Sequence, residues 1–355
     1  MDRNTFACTN ASNFGAAIAL AKTADVVLLF VGLAPDSGAS GEAGETEGTD
    51  RPNDFTLPGN QSDLVAAIAA ANPNIVLTLI HGGASVSLEE EKVSCPAILD
   101  AHYPGQMGGD AIAALLFGDV SPSGRLTTTM YPLDFVNQRN ISDMGLATKG
   151  GITYKHYTGG ATFPFGHGMA YTTFTFEHVS VFGERHVVST AALAADDALF
   201  YKGRNSDVAT RGQGWAHRGA SAAATYDVKV TNTGSVVSDV VVLGFVNSSH
   251  ADAPQHAELF DFARVAMLAP GASTTVHLAM APSVLATVDR RGVQSILPGT
   301  YTVRFGVEGS AETRTAETTL IVSGSAHTLF NLPAARETHK AKMAAQFGDA
   351  AELHD

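Results

Sequence analysis

The sequence predicts a layered α/β domain built on a mostly parallel sheet, followed by an all-β sandwich. Three observations carry that reading. Helix-like and buried-strand-like segments alternate up to about residue 173. Beyond Phe174 the pattern changes to short strands separated by glycine turns. Hydrophobic residues make up 45% of the 355 and charged residues 16%, enough apolar material for two cores and too little charge for disorder.

The elements follow in order. Phe14, Ile18 and Leu20 stand near helical spacing in an Ala-rich stretch, so residues 10–33 read as a helix and then a strand. The run from Asp25 to Gly32 is continuously apolar, as in a strand covered on both faces. The unit repeats: a helix over 61–71, a break at Asn72-Pro73-Asn74, and a second buried strand over 75–80. His81-Gly82-Gly83 turns the chain, 97–99 is a third short strand, and 108–117 a further helix. Alternation of this kind implies a parallel sheet, whose ligands gather at the carboxyl ends of its strands. There, after the first strand, lies a long, Gly-rich, acidic segment from Ala34 to Arg51 with Glu42, Glu45 and Glu47. Loops of that length are usually functional or mobile.

In the second half, residues 226–232, 239–246, 262–268, 273–280 and 299–306 read as strands. Thr233-Gly234, Pro270-Gly271 and Pro298-Gly299 supply the turns. Residues 184–224 hold few strand signals and read as an insertion, and a polar tail is expected over 327–355.

A formal charge of −13 disfavours nucleic acid and anionic membrane as partners. No apolar run spans a bilayer, and no signal peptide is visible at Met1–Ala7. Cys8 and Cys95 read as two thiols or at most one bridge. Sequons at Asn10, Asn60, Asn140 and Asn247 permit glycosylation of a secreted protein. His81 and His102 have no partner at metal-ligand spacing, which argues against a zinc site. Nucleotide-binding loops and nucleophile-elbow patterns are absent.

Several blocks, in order, carry a resemblance. Glu45-Thr-Glu47-Gly-Thr-Asp50-Arg51 runs on to Leu57-Pro58-Gly59-Asn60-Gln61. Then come Tyr103-Pro104-Gly105-Gln106-Met107-Gly108-Gly109, Leu116-Phe117-Gly118 with Pro122-Ser123-Gly124-Arg125-Leu126, Thr153-Tyr154-Lys155-His156-Tyr157, and Phe163-Pro164-Phe165-Gly166-His167-Gly168. Val230-Thr231-Asn232-Thr233-Gly234, Phe262-Ala263-Arg264-Val265 and Leu268-Ala269-Pro270-Gly271 follow. Over roughly residues 8–325 the chain resembles the C-terminal part of glycoside hydrolase family 3 enzymes of the β-xylosidase/β-glucosidase kind.

The resemblance implies a three-layer α/β sandwich over 1–173 and a fibronectin-III-like sandwich over 174–326. It also implies a secreted enzyme that hydrolyses β-linked xylosides, arabinosides or glucosides with retention and without cofactor or metal. In that family the nucleophile is an aspartate on an N-terminal barrel, which has no counterpart in this chain, and the acid/base is a loop glutamate of the following domain. Glu47, four residues before Arg51, is the leading candidate for the acid/base; Glu45 is second and Glu42 third. The motif glycines are expected to be structural, Arg125 to brace a loop, and His167 to be a corner residue. Asp100 departs from the family pattern, standing where tryptophan is common. That drift and the missing barrel keep a noncatalytic homologue or carbohydrate-binding fragment open as the competing class.

Overall fold

Pattern and packing agree closely in the first part of the chain. The computed structural model describes residues 14–35, 42–43, 55–82, 86–140, 142–179, 185–190, 193, 222–307 and 310–331. The chain divides into two units, Met1–Gly168 and Met169–Asp355, and each is described by itself.

In the first unit, α1 (Phe14–Ala21) leads into β1 (Val27–Gly32), and a short hairpin pairs β2 (Ala34–Pro35) with β3 (Glu42–Ala43). Then come α2 (Gln61–Ala71), β4 (Ile75–Ile80), α3 (Glu89–Ser94), β5 (Ala97–Asp100) and α4 (Gly108–Leu116). Two single turns, α5 (Phe135–Gln138) and α6 (Thr153–His156), complete it. Strands β1, β4 and β5 lie side by side in that order, all parallel, with Val27 opposite Ile75 and Val76 opposite Ala97. Both crossovers step the same way across the sheet, so their right-handedness puts α2 and α3 on one face.

Ile75, Leu77 and Leu79 of β4 are buried there in one cluster with Ala21 of α1 and Val65 and Ile68 of α2. Each such aliphatic side chain contributes about 1.5–3 kcal/mol by leaving water. The break after α2 is a joint as well as a stop. Pro73 disfavours helical geometry at Asn72, and the buried Asn72 amide donates to the carbonyls of Ala21 and Ala24 at 3.0 and 2.7 Å, closing the end of α1.

On the opposite face β1 differs from the expectation of a strand covered on both sides, although Thr78 of β4 is buried there. Along β1 burial alternates, and Leu28 and Phe30 are 42% and 50% exposed, with the exposed Val26 just before them. Apolar residues there report a sheet face, not a two-sided core.

The second unit is a sandwich. One sheet has the order β10 (Glu258–Leu268), β9 (Ser238–Ser248), β14 (Gly299–Phe305), β16 (Ala316–Ser323), β7 (Arg185–Ser189). The other runs β11 (Ser273–Met280), β8 (Ala224–Asn232), β6 (Phe174–His178), β15 (Glu312–Arg314). A small third sheet joins β12 (Ala286–Val288), β13 (Val293–Ile296) and β17 (His327–Asn331). Alternate residues Tyr226, Val228 and Val230 meet Val240, Val242, Val303 and Phe305 in a single core.

Two expectations change. The stretch read as an insertion opens with β7, which adds to the five-stranded sheet parallel to β16. The tail read from His327 begins as β17, paired with β13. Both strands are short and carry polar or basic residues, so backbone pairing decides them where side-chain pattern does not. Cys95 is buried and its thiol is pushed up by burial; Cys8 lies outside the described residues.

Candidate functional site

The carboxyl ends of β1, β4 and β5 form one edge of the parallel sheet, where such folds place their chemistry. The acidic segment leaves from here. After Gly32, the amide of Leu33 donates to the carbonyl of Ile80 at 2.9 Å, carrying the pairing with β4 one residue further. The chain returns through Phe55, whose carbonyl accepts from the Ser87 amide at 2.8 Å, and through Leu57, which is buried.

Gln61, last residue of the Leu57–Gln61 motif, joins the two ends. Its carboxamide accepts from the Gly32 amide at 2.8 Å and donates to the Gly32 carbonyl at 2.9 Å. Glycine is required at 32, because a Cβ there would stand 1.8 Å from the Ile80 oxygen. The departure and return of the acidic segment are therefore fixed to one strand end. Of the candidate acids, Glu42 has its backbone in β3, opposite Pro35, while Glu45 and Glu47 lie outside the described residues.

Two later motifs interlock. Leu126 donates its amide to the His167 carbonyl at 2.9 Å and accepts from the Gly166 amide at 2.7 Å, and Met130 bridges Phe163. The Arg125 guanidinium donates to the Gly168 carbonyl, and a Cβ on Gly168 would press on the Gly124 oxygen. Lys92 of α3 donates to the Thr162 carbonyl at 2.6 Å and sits 4.7 Å from the centre of the Phe163 ring. These residues are a brace. His167 is held below its ordinary value by burial first, and then by the charges of Arg125 and Lys92.

The same sheet edge carries a cluster that sequence spacing hid. His81 follows β4 and Asp100 ends β5, and because Leu79 lies opposite Asp100 the two side chains meet, His81 Nε2 to Asp100 Oδ1 at 3.1 Å. His102 Nε2 stands 3.7 Å from Asp100 Oδ2, and the two imidazole centres are 4.9 Å apart. The expectation that these histidines lack a partner is thus corrected. The missing partner is Asp100, supplied by strand register and not by a short sequence motif. Burial pushes the Asp100 carboxyl up, but the hydrogen bond and charge of His81, the charge of His102 and the His102 amide outweigh it, and the net direction is down. No helix among the described residues is long and apolar enough to cross a membrane.

Comparison with known proteins places this geometry. Residues 5–171 match the glycosyl hydrolase family 3 C-terminal domain, and residues 241–308 match the fibronectin type III-like domain. The chain is 32% identical over 311 residues to a probable exo-1,4-beta-xylosidase of Aspergillus terreus, covering 86% of this chain and 36% of that protein. It is 30% identical over 315 residues to the exo-1,4-beta-xylosidase of Aspergillus oryzae, with the same coverage of 86% and 36%. Among solved structures, a GH3 exo-beta-xylosidase in complex with a xylobiose aziridine probe superposes with a TM-score of 0.73 at 28% identity, over 91% of this chain and 39% of that one. A GH3 beta-glucosidase of Bifidobacterium adolescentis superposes with a TM-score of 0.63 at 27% identity, over 88% and 41%. Both matched domains fall in the order and over the strands just described, and the chain belongs to glycoside hydrolase family 3, of which it carries the C-terminal α/β domain and the fibronectin type III-like domain.

Proposed function

We propose that this chain supplies the acid/base part of a secreted, retaining exo-β-glycosidase acting on xylosides, arabinosides or glucosides. Glu47 is the leading acid/base, with Glu45 second and Glu42 third. The observation that carries the reading is the 32% identity with a probable exo-1,4-beta-xylosidase across 86% of the chain. The chain spans 36% of that relative's length, so the activity of a whole enzyme is inferred from a part.

Retaining hydrolysis needs two carboxyl groups about 5–5.5 Å apart across the glycosidic bond. One attacks the anomeric carbon and forms a glycosyl-enzyme. The other gives its proton to the departing oxygen, then takes one from the water that attacks the intermediate. A loop glutamate suits the second role, since a docking domain can bury it and raise its affinity for a proton. The Gln61–Gly32 clamp supports this reading, because it fixes both ends of the glutamate segment at one strand end. The nucleophile would come from a separate barrel domain. The 355 residues by themselves are then expected to hydrolyse an aryl β-xyloside no faster than buffer.

The test pairs the chain with such a barrel. Glu47→Ala should slow substrates with poor leaving groups far more than activated aryl glycosides, which need little protonation, and azide should partly restore the rate. The same signature in Glu45→Ala or Glu42→Ala would move the assignment to that residue. Its absence in all three variants, or robust turnover by the chain alone, would end the reading. A noncatalytic, carbohydrate-binding role is the second reading. Asp100, standing where tryptophan is common in the family, favours its noncatalytic side, and sugar binding without any turnover in the paired system would establish it.

A further inference from the structure

We propose that His81, Asp100 and His102 form a site for one divalent transition-metal ion of the zinc class. The argument is independent of the glycosidase reading and starts from the sheet. Parallel neighbours β4 and β5 end together, and the Ala101 amide donates to the Leu79 carbonyl at 2.9 Å, keeping them in step past the last strand residue. His81 therefore lies two residues past the partner of Asp100, on the same face of the sheet edge.

The chain then turns back. His102 adopts a φ of 47°, uncommon for any residue with a Cβ, and its amide donates to Asp100 Oδ1 at 3.2 Å. That local turn brings the His102 ring back over the strand ends, beside the His81 ring at 4.9 Å.

The three ligand atoms fit a metal. One ligand atom from each residue can be chosen so that all lie within 4.8 Å of one another. Zinc holds nitrogen and oxygen at about 2.0–2.1 Å, which sets tetrahedral ligands about 3.4 Å apart. His81 Nε2 stands 3.1 Å from one Asp100 oxygen and His102 Nε2 3.7 Å from the other, so each imidazole already lies near that spacing from the carboxylate. His81 and Asp100 are fixed, at 3% and 15% side-chain exposure, while His102 at 48% is free to rotate the remaining distance.

Asp100 also has capacity to spare. Its Oδ1 takes the His81 ring and the His102 amide, whereas its Oδ2 is buried with no hydrogen bond among the described residues and faces the His102 ring at 3.7 Å. A buried carboxylate oxygen without a hydrogen bond is costly, and a cation satisfies it. Two imidazoles and one carboxylate are a borderline donor set that suits zinc, cobalt or nickel over magnesium or calcium. With His102 half exposed, water completes the coordination.

The test uses the full chain, stripped with a chelator and titrated with Co2+. A visible ligand-field band saturating at one equivalent, displaced by Zn2+, and a rise in Tm with Zn2+ are expected. His102→Ala, at a half-exposed position that leaves the fold intact by circular dichroism, should weaken binding by about tenfold or more and erase the band. His81→Gln should do the same. If the unaltered chain gives no band and no Tm shift, or if both variants bind Co2+ as tightly as the unaltered chain, the three side chains are an ion-paired strand cap and the proposal is wrong.

Discussion

Gln61 satisfies both backbone polar groups of Gly32 with a single carboxamide, tying the start of α2 to the end of β1 across the acidic segment. The arrangement is sensitive to one atom. Gln61→Glu keeps the acceptor but loses the donor and sets a carboxylate against the Gly32 carbonyl, at an expected cost of about 2 kcal/mol. Gly32→Ala forces its Cβ onto the Ile80 oxygen and should cost about 3 kcal/mol or more. Urea unfolding of the two variants checks both values, and an Ala at 32 within error of the glycine would contradict the close approach.

A second test concerns the sandwich. Asn232 is fully buried and its side chain makes four hydrogen bonds. It donates to the Val236 and Leu268 carbonyls and accepts from the Thr172 hydroxyl and the Gly234 amide. Asn232→Ala strands all four partners and should destabilise the second unit by about 2–4 kcal/mol. Asn232→Asp should be no better, since it turns two carbonyls toward a carboxylate. Thermal melts followed by a probe in the second unit give the comparison.

Stability should also depend on pH through His167. Its folded value lies below the ordinary 6.5 because burial, and then Arg125 and Lys92, disfavour the charged ring. The unfolded chain therefore binds the proton more readily. The stabilisation is complete above about pH 6.5 and is lost as pH falls toward the lower folded value. His167→Gln should flatten that part of the stability curve, and an unchanged slope would remove His167 as its source.

The bare face of β1 makes its own prediction. Leu28 and Phe30 are exposed beside Val26, so the chain should bind a hydrophobic dye or self-associate. Replacing Leu28 and Phe30 with serine should suppress dye binding while moving stability by no more than about 1 kcal/mol. A large loss of stability would mean that the face is covered in solution.

Much of the fold was legible because apolar periodicity maps directly onto burial. The runs at 27–32 and 75–80 and the Ala-rich helix at 61–71 needed no other information. Leu28 and Phe30 show the limit, since an apolar run announces a strand without saying how many of its faces are covered. Strands β7 and β17 leave no side-chain pattern because their pairing is made by backbone. The motif around Gln61 was visible as letters, but its role as a clamp needed the distance to Gly32. Sequence spacing alone separates the two histidines and shows Asp100 only as a departure from tryptophan. Only the register of Leu79 against Asp100 makes them one cluster.

The hydrogen bond from Leu33 to Ile80 has a mechanical consequence. The oxygen that anchors Leu33 belongs to the peptide group whose nitrogen is that of His81. A peptide group is planar and stiff, so the root of the glutamate segment and the histidine ride on the two ends of one rigid plate. A tilt of the plate that re-aims His81 also shifts the point where the segment leaves the sheet. A change at the histidine cluster is therefore expected to register in the exchange rate of the Leu33 amide proton.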